Sequence, residues 1–263
     1  MGCMLRYSSV LRSSLFIMVL VSHKHKFIYM KTRKTAGTSV EIFFEPFCRP
    51  PKQEAHFTDL IISDVGIVGA RGGNPNTKDW FNHIPAYLVK EKLGLSKWDT
   101  YFKFCVIRNP WDKMVSTYWY NKNKNNKLPD FKTWLFNWYF KYVPKRNVQD
   151  WIQSFPRKTS YITWLKKSPL IPQSTNIIDR NIYTINNKLA LNYYIRFENL
   201  SDGIEEVCQK LNLPCDLQKL GNYKASYRQK QRHYSEYYDQ ETMNIVSKIF
   251  AKEIQEFSYQ FGD

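Results

Sequence analysis

The chain has 263 residues, a formal net charge of +16, 43% hydrophobic residues and 16% aromatics. That length and apolarity support a sizeable core, which excludes a disordered polypeptide. The charge predicts an anionic partner without choosing among nucleotide, acidic glycan, nucleic acid and membrane surface, and solvated surface lysines are its plainer account.

Five cysteines, Cys3, Cys48, Cys105, Cys208 and Cys215, are odd in number and lack CxxC spacing. This argues against a zinc site or a disulfide-built scaffold. Cys208 and Cys215 suit pairing in an oxidising compartment; two free thiols are the simpler reading. Leu15 to Val21 is apolar but far short of the roughly 20 residues of a membrane span. It is followed by His23-Lys24-His25-Lys26 with no small-residue cleavage site. Met1-Gly2-Cys3 begins like a myristoylation signal, yet Arg6 stands where Ser or Thr belongs. The expectation is a soluble, cytoplasmic protein with no transmembrane segment, in which Met18 offers an alternative start and residues 1–17 are a dispensable extension.

Phe27-Ile28-Tyr29-Met30 reads as a buried strand. Lys34-Thr35-Ala36-Gly37-Thr38-Ser39 follows, and then Val40, Phe43, Phe44 and Phe47 recur at helical spacing until Pro46 and Pro50-Pro51 end the helix. Residues 52–82 are loop-rich, punctuated by Gly69, Gly72, Gly73 and Pro75. Ile84 to Leu93 predicts a helix capped by Gly94. Tyr101 to Ile107 is the clearest strand; after Arg108, Asn109 suits an N-cap and Pro110 the first helical position. Trp111, Val115, Tyr118 and Trp119 form the stripe of the helix that follows. Residues 121–180 show no clear periodicity. Tyr193 to Phe197 predicts a further strand, and helices over about 201–212 and 239–256 close the chain. Strands alternating with helices, without repeats or a long linker, predict one α/β domain over residues 18–263 around a mostly parallel sheet.

The loop from Lys34 to Ser39 is an anion site by construction. A strand turning into a helix leaves backbone N–H groups unpaired, and the helix dipole adds to them. Gly37 is expected to let a phosphate approach closely. Thr38 and Ser39 add hydroxyls and Lys34 a mobile charge. A nucleotide triphosphatase loop carries its lysine after the last glycine; here lysine precedes it, which weakens an ATP-magnesium reading. Ligands in α/β sheets bind at the carboxyl ends of strands, so Arg108 should point into the same crevice. Ser116, two turns along, completes a second phosphate grip. Two sites suit a nucleotide phosphorylated at both 5′ and 3′ positions.

Lys34 to Ser39 resembles the 5′-phosphosulfate loop of the sulfotransferase superfamily, and Arg108-Asn109-Pro110-Trp111-Asp112-Lys113-Met114-Val115-Ser116-Thr117-Tyr118 is similar to its 3′-phosphate motif. Arg196-Phe197-Glu198-Asn199-Leu200, Tyr237-Tyr238-Asp239 and Phe257-Ser258-Tyr259 agree, and the nearest branch is the carbohydrate type that includes uronyl 2-O-sulfotransferases. The resemblance implies a P-loop-like, three-layer α/β domain that uses 3′-phosphoadenosine-5′-phosphosulfate (PAPS) and no metal. It implies donor contacts from Lys34, Thr35, Ala36, Gly37, Thr38, Ser39, Arg108 and Ser116, and from a late basic loop with Arg228, Lys230 and Arg232. Arg33 departs from the family, which more often has proline or a small residue there. Residues 52–82 and 121–180 match nothing in it and are expected to shape the acceptor side, with 121–180 an insertion.

Transfer needs a base that activates a hydroxyl, and His83, before a predicted helix start, is the candidate, with Lys34 stabilising the leaving phosphate. A capping or packing role is the alternative for His83; His56 and Glu54 stand in reserve. His23 and His25 lie in a charged run. Asp112 in the first helical turn reads as structural. Trp119, Trp134, Trp138, Trp151 and Trp164 form either a platform for sugar rings or core. The acceptor is expected to be a hydroxyl, on a glycan or another sugar-containing molecule. The rivals are an ATP-dependent kinase, which lacks its glycine spacing and magnesium carboxylate, and a nucleic-acid-binding module, for which no recognition motif is present.

Overall fold

A strand with four consecutive apolar side chains has to be covered on both faces. The computed structural model describes residues 19–53, 60–70, 79–142, 177–221 and 232–263. The N-terminal extension, Glu54, His56, Gly72, Gly73, Pro75, Trp151, Trp164, Arg228 and Lys230 lie outside them, as does most of the expected insertion. All four side chains of β2 (Phe27–Met30) are fully buried. β2 sits inside a six-stranded sheet whose order is β3-β4-β1-β2-β5-β8. Its neighbours are β1 (Leu20–Ser22), β3 (Ile61–Ile62), β4 (Gly66–Val68), β5 (Phe102–Ile107) and β8 (Tyr193–Arg196). A separate two-stranded ribbon joins β6 (Thr184–Ile185) to β7 (Lys188–Leu189).

The sheet is mixed where a mostly parallel one was expected. β2, β5 and β8 run parallel, with Phe27 opposite Phe102 and Phe104 opposite Tyr193. β1, β3 and β4 pair antiparallel. The reason lies in the connections: residues 23–26 join β1 to β2, residues 63–65 join β3 to β4, and links that short only reverse the chain. The run Leu15 to Val21, read from sequence as an imitation of a leader, thus contributes part of a strand.

Alternation along the strands feeds two cores. Leu20, Phe27, Tyr29, Phe104, Val106 and Ile195 pack on one face with Val40 and Phe44 of α1 (Gly37–Phe44) and with Ile204 and Val207 of α7 (Leu200–Leu211). Val21, Ile28, Met30, Cys105 and Ile107 pack on the other with side chains of α2 (Ala86–Leu93), α3 (Leu95–Thr100), α4 (Pro110–Lys124), α5 (Phe131–Tyr142) and α8 (Gln240–Ile249). The result is three layers, helix, sheet, helix. Each fully buried large apolar side chain contributes about 1.5–3 kcal/mol. Trp134 and Trp138 are fully buried in the second core, so they fill it and offer no face to a sugar ring. Trp119 is held edge-on to Tyr118 and donates its Nε1–H to Tyr237 at 3.1 Å.

Helix ends follow local chemistry. Pro85 is the N-cap of α2, and Gly94, at φ 79°, separates α2 from α3. Asp239 and Thr242 form a reciprocal capping box at the start of α8. The long helix expected to 256 is broken at Phe250 into α8 and α9 (Ala251–Phe257). Cys48, Cys105, Cys208 and Cys215 are free thiols; burial first, then contact with Cys215, pushes Cys208 up to about 12. Among the described residues no helix is long and apolar enough to cross a membrane.

The tightest approach in the sheet is at Gly66. A Cβ there would lie 2.1 Å from the Val21 carbonyl oxygen and 2.8 Å from that of Cys48. Both atoms are backbone and have no rotamer to escape into. Gly66→Ala should therefore destabilise the fold by about 1–3 kcal/mol, the usual range for overpacking. Urea unfolding would show a lower midpoint with an unchanged slope.

Candidate active site

The parallel register of β2 and β5, with Met30 opposite Cys105, brings the chain segments that leave both strands side by side. Thr32 ties them directly: its hydroxyl donates to the Val106 carbonyl and contacts the Thr35 hydroxyl at 2.8 Å. The loop then turns through two left-handed residues, Lys34 at φ 62° and Ala36 at φ 52°. Ala36 is the N-cap of α1 and supplies no side-chain cap. Its carbonyl accepts the N–H of Ser39 at 2.8 Å and of Val40 at 3.2 Å. The N–H groups of Thr35, Ala36, Gly37 and Thr38 find no acceptor among the described residues, nor do the hydroxyls of Thr38 and Ser39. Four consecutive unpaired amides at a helix N-terminus make an anion cradle.

Gly37 also has a packing role. A Cβ at this position would meet Lys31 Cε at 2.6 Å. The missing side chain makes room for Lys31, whose ammonium pairs with Glu41 at 3.2 Å in a buried contact. Thr35 spends its hydroxyl within the loop, on Thr32. Lys34 extends across to α4, its Nζ 4.1 Å from the centre of the Tyr120 ring.

Arg108 faces the same crevice. Its Nη1 donates to the Lys34 carbonyl at 2.8 Å and its Nε to Asp112 at 2.8 Å, while Nη2 lies 2.6 Å from the same carboxylate. The guanidinium also stacks 3.9 Å from the Phe197 ring. A guanidinium has five N–H groups, and these contacts leave two for a ligand. Asp112 thus braces Arg108. Ser116 lies one turn beyond Asp112 and one before Tyr120 on a single helical row. It is half-buried and has no hydrogen-bond partner among the described residues.

The remaining motif residues hold Arg108 in place. Asn109 caps α4 by accepting the Trp111 N–H at 3.1 Å. Its Nδ2 donates to the Tyr234 hydroxyl at 3.1 Å and the Gln260 carbonyl at 3.0 Å, and Glu198 accepts its backbone N–H at 2.7 Å. Tyr238 donates to the Trp111 carbonyl at 2.8 Å, and Tyr259 reaches Glu198. Arg232 is two residues from Tyr234 and 4.0 Å from Glu236, so it belongs to this rim.

His83 also adopts a left-handed conformation, φ 58°. Its Nδ1 lies 2.9 Å from the Lys31 carbonyl. A carbonyl only accepts, so Nδ1 carries the proton and Nε2 keeps its lone pair. Burial first, then the Arg33 guanidinium, lowers this ring from its ordinary 6.5 to about 3. The imidazole is neutral at physiological pH and is bonded just beyond the end of β2.

Sequence reading missed Asp179. It precedes α6 (Arg180–Tyr183) and is 2% exposed. It pairs with Arg33 at 2.8 Å and Lys113 at 2.6 Å. Burial alone would raise its pKa; Lys113 and Arg33, with His83, outweigh burial and hold it below the usual carboxylate range. Asp179 ends a stretch without periodicity, and no local signal marks it. Tyr120 was legible, being i+4 from Ser116. Among the described residues no three His, Cys, Asp or Glu side chains are arranged to hold a metal.

A family model described as the sulfotransferase family matches residues 18–260. An uncharacterised protein of Archaeoglobus fulgidus is 28% identical over 134 residues, which are 51% of this chain and 87% of that protein. No solved structure matches the chain.

The His83 ring should not titrate between pH 8 and 5 in the folded protein, as followed by ring nitrogen resonances. A midpoint near 6.5 would contradict the environment described. Because the folded value lies below the unfolded one, protons bind the unfolded chain first, and this group removes stability as pH falls from 6.5 towards 3.

Proposed function

The chain belongs to the sulfotransferase family, and on that premise we propose that it passes the sulfuryl group of PAPS to a hydroxyl acceptor by direct in-line transfer. The observation that supports this best is the pairing of two anion sites: unpaired amides at the start of α1, and Arg108 bonded to the carbonyl of Lys34 beside them. We read the β2–loop–α1 unit as P-loop-like. The 5′-phosphosulfate would lie over the amides of Thr35 to Thr38 and the hydroxyls of Thr38 and Ser39. The 3′-phosphate would take the two remaining N–H groups of Arg108 and the Ser116 hydroxyl, with Arg232, and Arg228 beyond the described residues, closing over it.

In the reaction the acceptor oxygen bonds to sulfur while the bond from sulfur to the 5′-phosphate oxygen breaks. The acceptor proton goes to His83 Nε2, and adenosine 3′,5′-bisphosphate leaves. Charge grows on the leaving phosphate, where fixed amides and the Lys34 ammonium cost no reorganisation. Lys34 reaches it by exchanging the face of Tyr120 for the phosphate. A free His83 with a pKa of about 3 is a weak base. Burial is the larger cause of that value; a bound anionic donor offsets the smaller part due to Arg33 and Lys31 and so raises the basicity of the ring.

Support for a metal-free route comes from the carboxylates. Glu41, Asp112 and Asp179 around the loop are each committed to a cation, which also counts against the kinase alternative. The acceptor we place among carbohydrates, on the likeness of both motifs to the uronyl 2-O branch.

Transfer of labelled sulfate from PAPS to a glycan panel in excess EDTA tests the reading. Activity should persist in EDTA; a strict magnesium requirement would overturn the reading. His83→Ala should cut kcat by about 10²–10⁴-fold, the usual worth of general base catalysis, with affinity for the bisphosphate kept within about twofold. Unchanged turnover would remove His83 as base.

A further inference from the structure

Arg33 and Lys113 approach from opposite walls of the crevice, one from the loop after β2 and one from α4, and both end on Asp179. Oδ2 accepts the backbone N–H of Arg33 at 2.7 Å and the Lys113 ammonium at 2.6 Å, while Oδ1 accepts Arg33 Nη1 at 2.8 Å. Two cations and an amide on one buried carboxylate form a clamp across the crevice. Its stability depends on all members being present, since removal of one partner from such a group leaves a buried charge uncompensated.

The clamp acts where the loop takes its shape. Arg33 immediately precedes Lys34, which holds a left-handed conformation that a non-glycine residue keeps only when its surroundings enforce it. With both the N–H and the side chain of Arg33 fixed, the exit direction of Lys34 and of the four following amides is set. The clamp also turns two cations away from the anion site, so the mobile positive charge offered there is that of Lys34. Arg108 meets this loop only at the Lys34 carbonyl; its other braces lie elsewhere, on Asp112 and Phe197, and its neighbour Asn109 is held by Glu198, Tyr234 and Gln260.

We infer that Asp179 is a positioning residue for the 5′-phosphosulfate loop, acting through Arg33 and Lys113, and that it controls the 5′ half of the donor site far more than the 3′ half, which has braces of its own. The inference rests on the PAPS reading and deepens it. Arg33 is then the device by which this chain secures its loop.

The test is calorimetric titration with adenosine 3′,5′-bisphosphate and, in parallel, adenosine 3′-monophosphate. Asp179→Asn should weaken the bisphosphate about tenfold or more and leave the monophosphate within about twofold. A merely structural role would weaken both together, and that result overturns the inference. Should Asp179→Asn fold poorly, Arg33→Gln keeps the backbone bond to Asp179 and removes a side chain that is 27% exposed; it should weaken the bisphosphate alone by about threefold or more. In the Arg33→Gln/Asp179→Asn double variant the two losses should not multiply, because Arg33 works through Asp179. Multiplying losses would mean that Arg33 touches the phosphate itself, and would overturn the inference. A wild-type chain that binds the bisphosphate while both single variants match it also overturns the inference and leaves the donor reading standing. A wild-type chain that does not bind the bisphosphate overturns both.

Discussion

The bond from Arg108 to the carbonyl of Lys34 depends on the parallel pairing of β2 with β5, and the rest of the site depends on that bond. Parallel neighbours end at the same edge, so the two segments that leave them share one crevice. Met30 stands opposite Cys105, Thr32 reaches the Val106 carbonyl, and two residues further along each segment Lys34 meets Arg108. A shift of one residue in this pairing would exchange the faces of every β2 side chain and move Lys34 off Arg108. The apolar side chains on both faces of β2 make such a shift costly. Packing of the core therefore fixes the spacing of the two proposed anion sites.

Charge is the second organising feature. Lys31, Arg33, Lys34, Arg108 and Lys113 crowd the end of the sheet, and Glu41, Asp112 and Asp179 answer them. The pairs hold backbone as well as neutralise charge: Lys31 with Glu41 lies under Gly37, Asp112 orients Arg108, and Asp179 grips the loop. Removing one partner of a buried pair commonly costs roughly 3–5 kcal/mol, so each pair keeps the loop in one conformation. Burial first, and then the same excess of cations, keeps His83 neutral. One electrostatic environment thus serves both to attract an anion and to leave a lone pair free on Nε2.

What the sequence made legible was local. Asn109-Pro110 marks a helix start because an N-cap acceptor and a residue without an N–H belong at those positions, and the strand before it is apolar throughout. Lys34 to Ser39 shows a strand passing into a helix, although the need for Gly37 to make room for Lys31 was not legible there. Arg196 to Leu200 was matched as a motif, but its purpose appears only in three dimensions, where Phe197 lies against Arg108 and Glu198 takes the Asn109 N–H. Long-range partners were illegible for the same reason. Asp179 is 146 residues from Arg33 and 66 from Lys113, and nothing in its neighbourhood distinguishes it from a surface aspartate. For Trp134 and Trp138 the sequence left a sugar platform and a core role both open, because composition alone does not separate an exposed aromatic from a buried one. The three-residue β1 was too short to register as a period.

The central claim is that two coupled anion sites accept a nucleotide phosphorylated at both 5′ and 3′ positions. Calorimetric titration with adenosine 3′,5′-bisphosphate, set beside ADP and ATP-magnesium, tests it most directly. The bisphosphate should bind well above the other two and lose more than about tenfold in Arg108→Ala, since a guanidinium on a phosphate is a charge-assisted, bidentate contact. Equal or tighter binding of ATP-magnesium, or an Arg108→Ala protein that still prefers the bisphosphate, would contradict it.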